Sequence, residues 1–160
     1  MGILTDDMKR VVSEQQLGFI ATVCPDGTPN LSPKGTTAVW DDDHLIFCDI
    51  RSPGTMANLR QNPAIEINVV DQLSRKGYRF KGKAEELTTG TVFEEVLAAR
   101  EASGNKSPMR AVALMTVERA LPLTSPAYDQ GVTEADLRNI YRRRFEALWN
   151  GADDQTAMLE

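Results

Sequence analysis

Apolar and polar residues alternate along much of the chain, and this two-residue period predicts β-strands. The clearest alternation runs from Ala64 to Val70, where Ile65, Ile67 and Val69 fall on one face. A second stretch, from Tyr78 to Leu87, alternates apolar positions with basic ones, as a half-exposed strand does. The other strand-like runs lie at residues 19–24, 30–40, 44–49 and 111–117, which brings the predicted number to six.

A period of 3.6 residues predicts helices at several other points. Thr5 is the expected N-cap of a first helix that ends between residues 15 and 18, and Thr91 with Glu94 forms a predicted capping box for a later one. Thr133 caps the clearest helix, whose apolar residues are Leu137, Ile140, Tyr141, Phe145, Leu148 and Trp149. We expect this apolar stripe to pack on the rest of the chain or across a dimer. Six strands in mostly hairpin order, with helices between them, predict a mainly β fold built as a small antiparallel barrel.

A proline and a glycine interrupt the long predicted strand at residues 30–40. Pro33 has no N–H group to donate, so the strand must lie at a sheet edge or form a bulge there. Gly35 leaves room beside the backbone, while Ser32 and Lys34 offer a hydrogen-bond donor and a positive charge. These residues fit a ligand contact, and they fit an ordinary bulge with an outward lysine equally well.

The stretch from Asp49 to Thr55 joins an apolar strand to a short helix. Helix starts carry backbone N–H groups without partners, and the helix dipole favours an anion there. Gly54 allows close approach to the backbone, and Ser52 adds a hydroxyl and Arg51 a permanent charge. The residues therefore suit a phosphate, although they also fit a plain helix start in which Thr55 is the N-cap and Arg51 is solvated.

In order and spacing, these stretches resemble the small FMN-binding members of the pyridoxamine 5′-phosphate oxidase-like split-barrel superfamily. The resemblance rests on residues 19–22 with the turn at 25–27, and on residues 32–35, 51–63 and 77–86. It implies a six-stranded antiparallel split barrel with a C-terminal amphipathic helix. Residues 1–124 would form the FMN-binding domain, and residues 125–160 would be a helical extension packed on it.

The same resemblance implies an FMN cofactor in a cleft between the subunits of a homodimer. Carried over by position, the cofactor-binding residues are Ser32, Pro33, Lys34 and Gly35 on one strand, Asp49, Ile50, Arg51 and Ser52 after the next, and Gly54 and Thr55 at the phosphate. Many relatives have a lysine or arginine immediately before the position of Thr55, where this chain has Gly54. Lys34 is the candidate cation beside the flavin ring, and no residue is identified as an acid–base catalyst.

The resemblance implies a flavin-dependent oxidoreductase or electron carrier with an unknown small-molecule substrate. It does not favour vitamin B6 oxidation, because the arginine- and histidine-containing C-terminal segment of the true oxidases is not found in this sequence. Two alternatives stay open: a binding module for another phosphate-bearing cofactor, such as a deazaflavin or haem, and a non-catalytic dimer that has lost its cofactor.

Charge and composition exclude some functions. A net charge of −5 argues against general binding of nucleic acid, and we interpret the basic strand at residues 79–83 as a solvated sheet face. No apolar run is long enough to span a bilayer. Cys24 and Cys48 are expected to be free thiols. His44 is expected to lie in a solvated turn with residues 41–43 and not to bind a metal. Since the N-terminus has no secretory pattern, we expect a cytoplasmic protein.

Overall fold

The fold is one antiparallel sheet that curls into a half-barrel, with four α-helices around it. The computed structural model describes residues 2–151. Its strands are β1 (Gly18–Val23), β2 (Pro29–Lys34), β3 (Ala38–Val39), β4 (His44–Asp49), β5 (Ala64–Asp71), β6 (Lys76–Leu87) and β7 (Ala111–Leu123). The helices are α1 (Asp6–Gln15), α2 (Pro53–Gln61), α3 (Thr91–Ala102) and α4 (Glu134–Trp149). The strand order is β2-β1-β5-β6-β7-β4-β3, and the predicted mainly β split-barrel class is confirmed.

The described residues form seven strands because the predicted strand at residues 30–40 is two strands. β2 ends at Lys34, the chain turns at Gly35, and β3 pairs with β4 at the opposite end of the strand order. The Thr37 hydroxyl donates to the Lys34 carbonyl at 3.0 Å and closes the turn. Pro33 lies in β2, which is the edge strand that a proline requires, so the edge alternative is the correct one.

Two of the predicted helix caps are wrong. α2 begins at Pro53 with Ser52 as the N-cap residue, because proline suits the first helical position, and Thr55 is therefore buried inside the helix. α3 starts after Gly90, whose φ of 92° makes the turn, and no side chain caps it. The caps at Thr5 and Thr133 are confirmed.

The apolar core has two parts on opposite sides of β4. Leu45 and Phe47 point into the barrel interior, whereas Ile46 and Cys48 point outward to α3. This division follows from the pleat of a strand, which sends alternate side chains to opposite faces. The largest fully buried side chains of the interior are Phe47, Phe80, Ile20, Leu45, Met56, Ile67 and Met115.

Two ion pairs attach α4 to the turn between β5 and β6. An Arg138 nitrogen lies 2.6 Å from Asp71, and the Lys76 ammonium lies 2.9 Å from Glu134. Only Leu137 of the predicted apolar stripe is buried, while Trp149 at the far end is 92% exposed. The first turns of α4 therefore pack most closely on the described part of the chain, and the helix becomes more exposed toward Trp149. Within that part, no helix is both long and apolar enough to cross a membrane.

We expect the α4 attachment to weaken in acid. Burial raises the pKa of Asp71, but hydrogen bonds from Ser74 and Leu73 and the charge of Arg138 outweigh it and leave that pKa below its ordinary value. Hydrogen bonds from Lys76 and Arg138 also lower the pKa of Glu134. Carboxylates with lowered folded-state pKa values stabilise the fold above the unfolded-state pKa of about 4, and this stabilisation is lost as the pH falls through the folded-state value.

Urea unfolding at a series of pH values between about 6 and 3 tests this acid sensitivity. The unfolding midpoint should fall with the pH, and it should fall less in an Asp71→Asn variant, which has one titrating group fewer. An identical pH dependence in the two proteins would contradict the assignment.

Candidate functional site

The inward face of β2 carries a row of polar side chains. The polar row consists of Asn30, Ser32 and Lys34, and it alternates with the exposed residues Leu31 and Pro33. The polar side chains therefore share the less exposed face of β2, which is turned toward the inside of the barrel. Lys34 is only 9% exposed, and its ammonium donates to the Ser32 hydroxyl oxygen at 2.5 Å. A lysine this deeply buried needs a compensating group nearby.

Asp49 is that group. Its side chain, at the end of β4, is 4% exposed and lies close enough to Lys34 to act on it electrostatically. Burial lowers the pKa of Lys34, and the charge of Asp49 partly opposes this shift. A second anion bound here would add to the effect of Asp49 and favour the charged ammonium.

Asp49 also shapes the start of α2. One of its carboxylate oxygens accepts a hydrogen bond from the Ser52 N–H at 2.9 Å, while the Ser52 hydroxyl makes no capping bond. The N–H groups of Gly54 and Thr55 have no acceptor among residues 2–151. A Cβ built on Gly54 would meet nothing within 4 Å, so this helix start is open to a ligand. Free N–H groups at a helix start are suitable donors for a phosphate.

A buried hydrogen-bond network connects α2 to β2. The Asn30 amide donates to Thr22 at 3.1 Å and to Thr55 at 3.5 Å, and the Asn58 amide donates to Thr22 at 3.1 Å. The sequence interpretation missed Asn30, Thr22 and Asn58. Two signals could have revealed Asn30 and Asn58, since Asn30 lies two residues before Ser32 on one strand face and Asn58 lies one helical turn after Thr55.

The structure brings half of the predicted cofactor residues together. The inward-facing cluster contains Ser32, Lys34, Asp49, Ser52 and Thr55, and Gly54 lies beside it at the exposed helix start. The other four lie elsewhere, with Pro33 on the outer face of β2, Gly35 in the turn, Ile50 against the α3 cluster and Arg51 on the exposed loop. The cofactor-binding roles of all ten residues stay predictions.

The cluster suits a phosphate, but it offers little positive charge. Arg60 of α2 is already held by both carboxylate oxygens of Glu86, at 2.5 and 2.7 Å. Arg51 makes no ion pair within the described residues, so it is free to turn toward an anion. Lys34 is the buried cation of the cluster, and Asp49 offsets part of its charge. Backbone N–H groups, hydroxyls and the helix dipole would therefore supply most of the phosphate recognition.

A cavity of about 530 Å³ lies on the other side of β4, between the turn at residues 35–37, β3 and α3. Trp40, Cys48 and Arg100 contribute to its walls. Burial raises the pKa of the Cys48 thiol, and the charge of Arg100 opposes this shift. The Cys48 N–H donates to the Thr36 hydroxyl oxygen at 2.9 Å, which fixes the turn against β4. The cavity has the size and the mixed lining of a small-molecule site.

Comparisons with known proteins agree with this architecture. The family model described as pyridoxamine 5′-phosphate oxidase matches residues 4–123. The crystal structure of tagged HupZ from Group A Streptococcus is 36% identical, with 76% of this chain and 94% of that chain covered and a TM-score of 0.67. No curated protein matches.

Two more distant structures share the fold alone. One is an FMN-binding protein of Syntrophomonas wolfei, which is 17% identical, with 76% of this chain and 87% of that chain covered and a TM-score of 0.67. The other is an F420 reductase, which is 19% identical, with 73% of this chain and 98% of that chain covered and a TM-score of 0.58. Since the family model spans most of the sequence and includes every strand of the barrel, the chain belongs to the pyridoxamine 5′-phosphate oxidase family.

Proposed function

We propose that this protein binds FMN and acts as a flavin-dependent oxidoreductase or flavin electron carrier on a small molecule. The observation that carries this proposal is the open start of α2, where the N–H groups of Gly54 and Thr55 have no acceptor among residues 2–151 and the Ser52 hydroxyl makes no capping bond. The FMN phosphate would bind there. When bound, FMN supplies the transfer of hydride or electrons, so the protein has to bind, orient and stabilise it.

Lys34 is the proposed cation beside the flavin ring. Its ammonium is held by Ser32 in a largely buried position, where a positive charge acts more strongly than it does in water. A cation at this position would stabilise the negative charge of reduced flavin. The charge of Asp49 would favour the protonated form of Lys34 and partly oppose the lowering of its pKa by burial.

The proposed assembly is a homodimer in which the second subunit completes the flavin site. In the pairing of β1 with β2, Phe19 lies opposite Pro33 and Ala21 lies opposite Leu31. All four side chains are on the outer face of the sheet. Leu31 is 67% exposed and Phe19 is 41% exposed. An exposed apolar surface of this kind is typical of a protein interface. Because β2 is an edge strand of the sheet, a second copy that covers its outer face would also reach the edge beside Lys34.

The cavity beside Cys48 is the proposed substrate compartment. Gly35 borders it and belongs to the predicted flavin-contacting segment, so a molecule in the cavity would lie next to that segment. Trp40 and Ile46 offer apolar walls, and Arg100 offers a positive charge. Glu95 also lines the cavity and offsets the charge of Arg100, so a small molecule with an apolar body and no net charge fits this lining.

The first test is the absorbance spectrum of the purified protein after incubation with FMN and removal of free ligand. We expect flavin bands to stay with the wild-type protein. An Arg51→Met/Thr55→Val double variant should lose them, because it removes the free guanidinium and a hydroxyl at the proposed phosphate site. Each lost hydrogen bond to a charged group corresponds to a loss in affinity of about tenfold or more.

The matched control is Arg119→Met/Thr88→Val, which makes the same exchanges at exposed positions outside the candidate site. It should retain FMN as the wild type does. If the Arg51 and Thr55 double variant keeps its full flavin content, the phosphate-site assignment is wrong.

A second candidate function is a non-catalytic dimer or a binding module for another phosphate-bearing cofactor, such as a deazaflavin. The observation that favours the non-catalytic dimer is the lack of a basic residue at Gly54 and Thr55, beside the buried Asp49, because these positions offer a phosphate no positive side chain. A protein that stays colourless after incubation with FMN would favour this alternative. Retention of a deazaflavin by the same protein would then identify the cofactor class.

A further inference from the structure

A groove of about 420 Å³ lies beside the C-terminal half of α4. Leu17, Phe19 and Val70 form its walls, and Phe145 of α4 lies over it. Phe19 and Phe145 are 41% and 38% exposed, so the groove leaves two aromatic rings partly in water. Arg75 is the one charged residue among those that line it in the described part of the chain.

Arg75 has an unusual backbone and an unusual hydrogen-bonding state. Its φ is 57°, in the left-handed region that glycine or asparagine normally occupies in a turn. Its guanidinium stacks on the Tyr141 ring at 3.9 Å, and its Nε atom is buried without an acceptor among residues 2–151. Because Nε is closed to solvent, the part of Arg75 that can meet a ligand in the groove is the terminal end of its guanidinium.

We propose that this groove binds a small amphipathic carboxylate. The carboxylate would accept hydrogen bonds from the Arg75 guanidinium, whose planar arrangement of donors matches a carboxylate. The apolar body of the ligand would lie between Phe19 and Phe145 and remove both rings from water. The charge supports this class of ligand, because a lone guanidinium in an apolar groove favours one negative charge. The groove shares Phe19 with the outer sheet face of the proposed homodimer, and sedimentation separates these two uses of the residue.

Calorimetric titration with octanoate tests the proposal, with 1-octanol as the uncharged partner of the same chain length. We expect one octanoate per chain, bound at least about tenfold more tightly than 1-octanol. Arg75→Asn should weaken octanoate binding by about tenfold and leave 1-octanol binding unchanged. Asparagine tolerates the left-handed region, so this variant should fold as well as the wild type.

Two further variants make the result specific. Arg143→Gln removes an exposed arginine of α4 that does not line the groove, and it should bind octanoate as the wild type does. Phe145→Ala removes the ring over the groove and should weaken both ligands. Equal octanoate affinity in the wild type and Arg75→Asn would overturn the proposal, as would the lack of saturable binding at about 1 mM octanoate.

A second copy of the chain is the competing occupant of the groove. Sedimentation of the wild type and Phe145→Ala distinguishes it from a small ligand. A wild-type dimer that becomes a monomer in Phe145→Ala would show that a subunit interface fills the groove, and this too would overturn the proposal. An unchanged oligomeric state, together with the octanoate result, supports it.

Discussion

Replacing Gly82 by alanine is expected to destabilise the fold strongly. Gly82 lies in β6 at the register shift against β7, and a Cβ on it would come within 2.0 Å of the Thr116 carbonyl oxygen. That oxygen belongs to the backbone of a paired strand, so it cannot move aside without breaking the ladder between β6 and β7. We expect a loss of at least about 3 kcal/mol in the free energy of unfolding, measured by urea titration followed by circular dichroism.

Gly35→Ala is the matched control for this experiment. A Cβ on Gly35 would meet nothing within 4 Å, and its stability should stay within about 0.5 kcal/mol of the wild type. Gly77→Ala should behave like Gly82→Ala, because its Cβ would lie 2.1 Å from the Val69 carbonyl oxygen. If Gly82→Ala is as stable as Gly35→Ala, the close approach of β6 to β7 is not as the structure has it.

Placing a lysine at Gly54 is expected to tighten FMN binding by about tenfold. The start of α2 offers N–H groups and hydroxyls but has neutral residues at Gly54 and Thr55. A Cβ at residue 54 would meet nothing within 4 Å, so a lysine side chain has room to leave the helix there and extend toward the proposed phosphate. Titration of FMN fluorescence against the protein gives the dissociation constant for the wild type and the variant.

Ala57→Lys is the control, because it adds the same charge to an exposed position one turn further along α2. It should change FMN affinity far less than Gly54→Lys. Equal effects would mean that general attraction to the helix explains the gain and that the phosphate does not bind at the helix start. A Gly54→Lys variant that binds FMN no more tightly than the wild type would exclude this site.

The parts of the fold that follow local periodicity could be predicted from the sequence. The alternation of Ile65, Ile67 and Val69 gave the correct inward face of β5, because one face of this strand packs in the core. The caps at Thr5 and Thr133 are also correct, since each depends on a hydrogen bond within three residues. Such features need no information from distant parts of the chain.

The parts that depend on distant contacts could not be predicted. The alternating pattern runs through residues 30–40, but β2 and β3 pair with strands at opposite ends of the order, so the strand divides. Apolar spacing predicted a stripe along α4 that packs on the rest of the chain or across a dimer, yet only Leu137 of that stripe is buried, because the described part of the chain covers the helix mainly at its first turns. The Lys34 and Asp49 pair also brings together two elements whose proximity has no local signal.

The two strands that end the sheet also bear on how copies of this protein can associate. β2 has Pro29 and Pro33 in its sequence, and β3 is only two residues long. Proline lacks the N–H group that a neighbouring strand would need, and a two-residue strand offers very few sites for pairing. Both free edges are therefore poor templates for adding a strand from another molecule. Crowded copies of this chain are thus protected from joining into a continuous intermolecular sheet, and their association is left to side chains on the faces of the sheet and the helices.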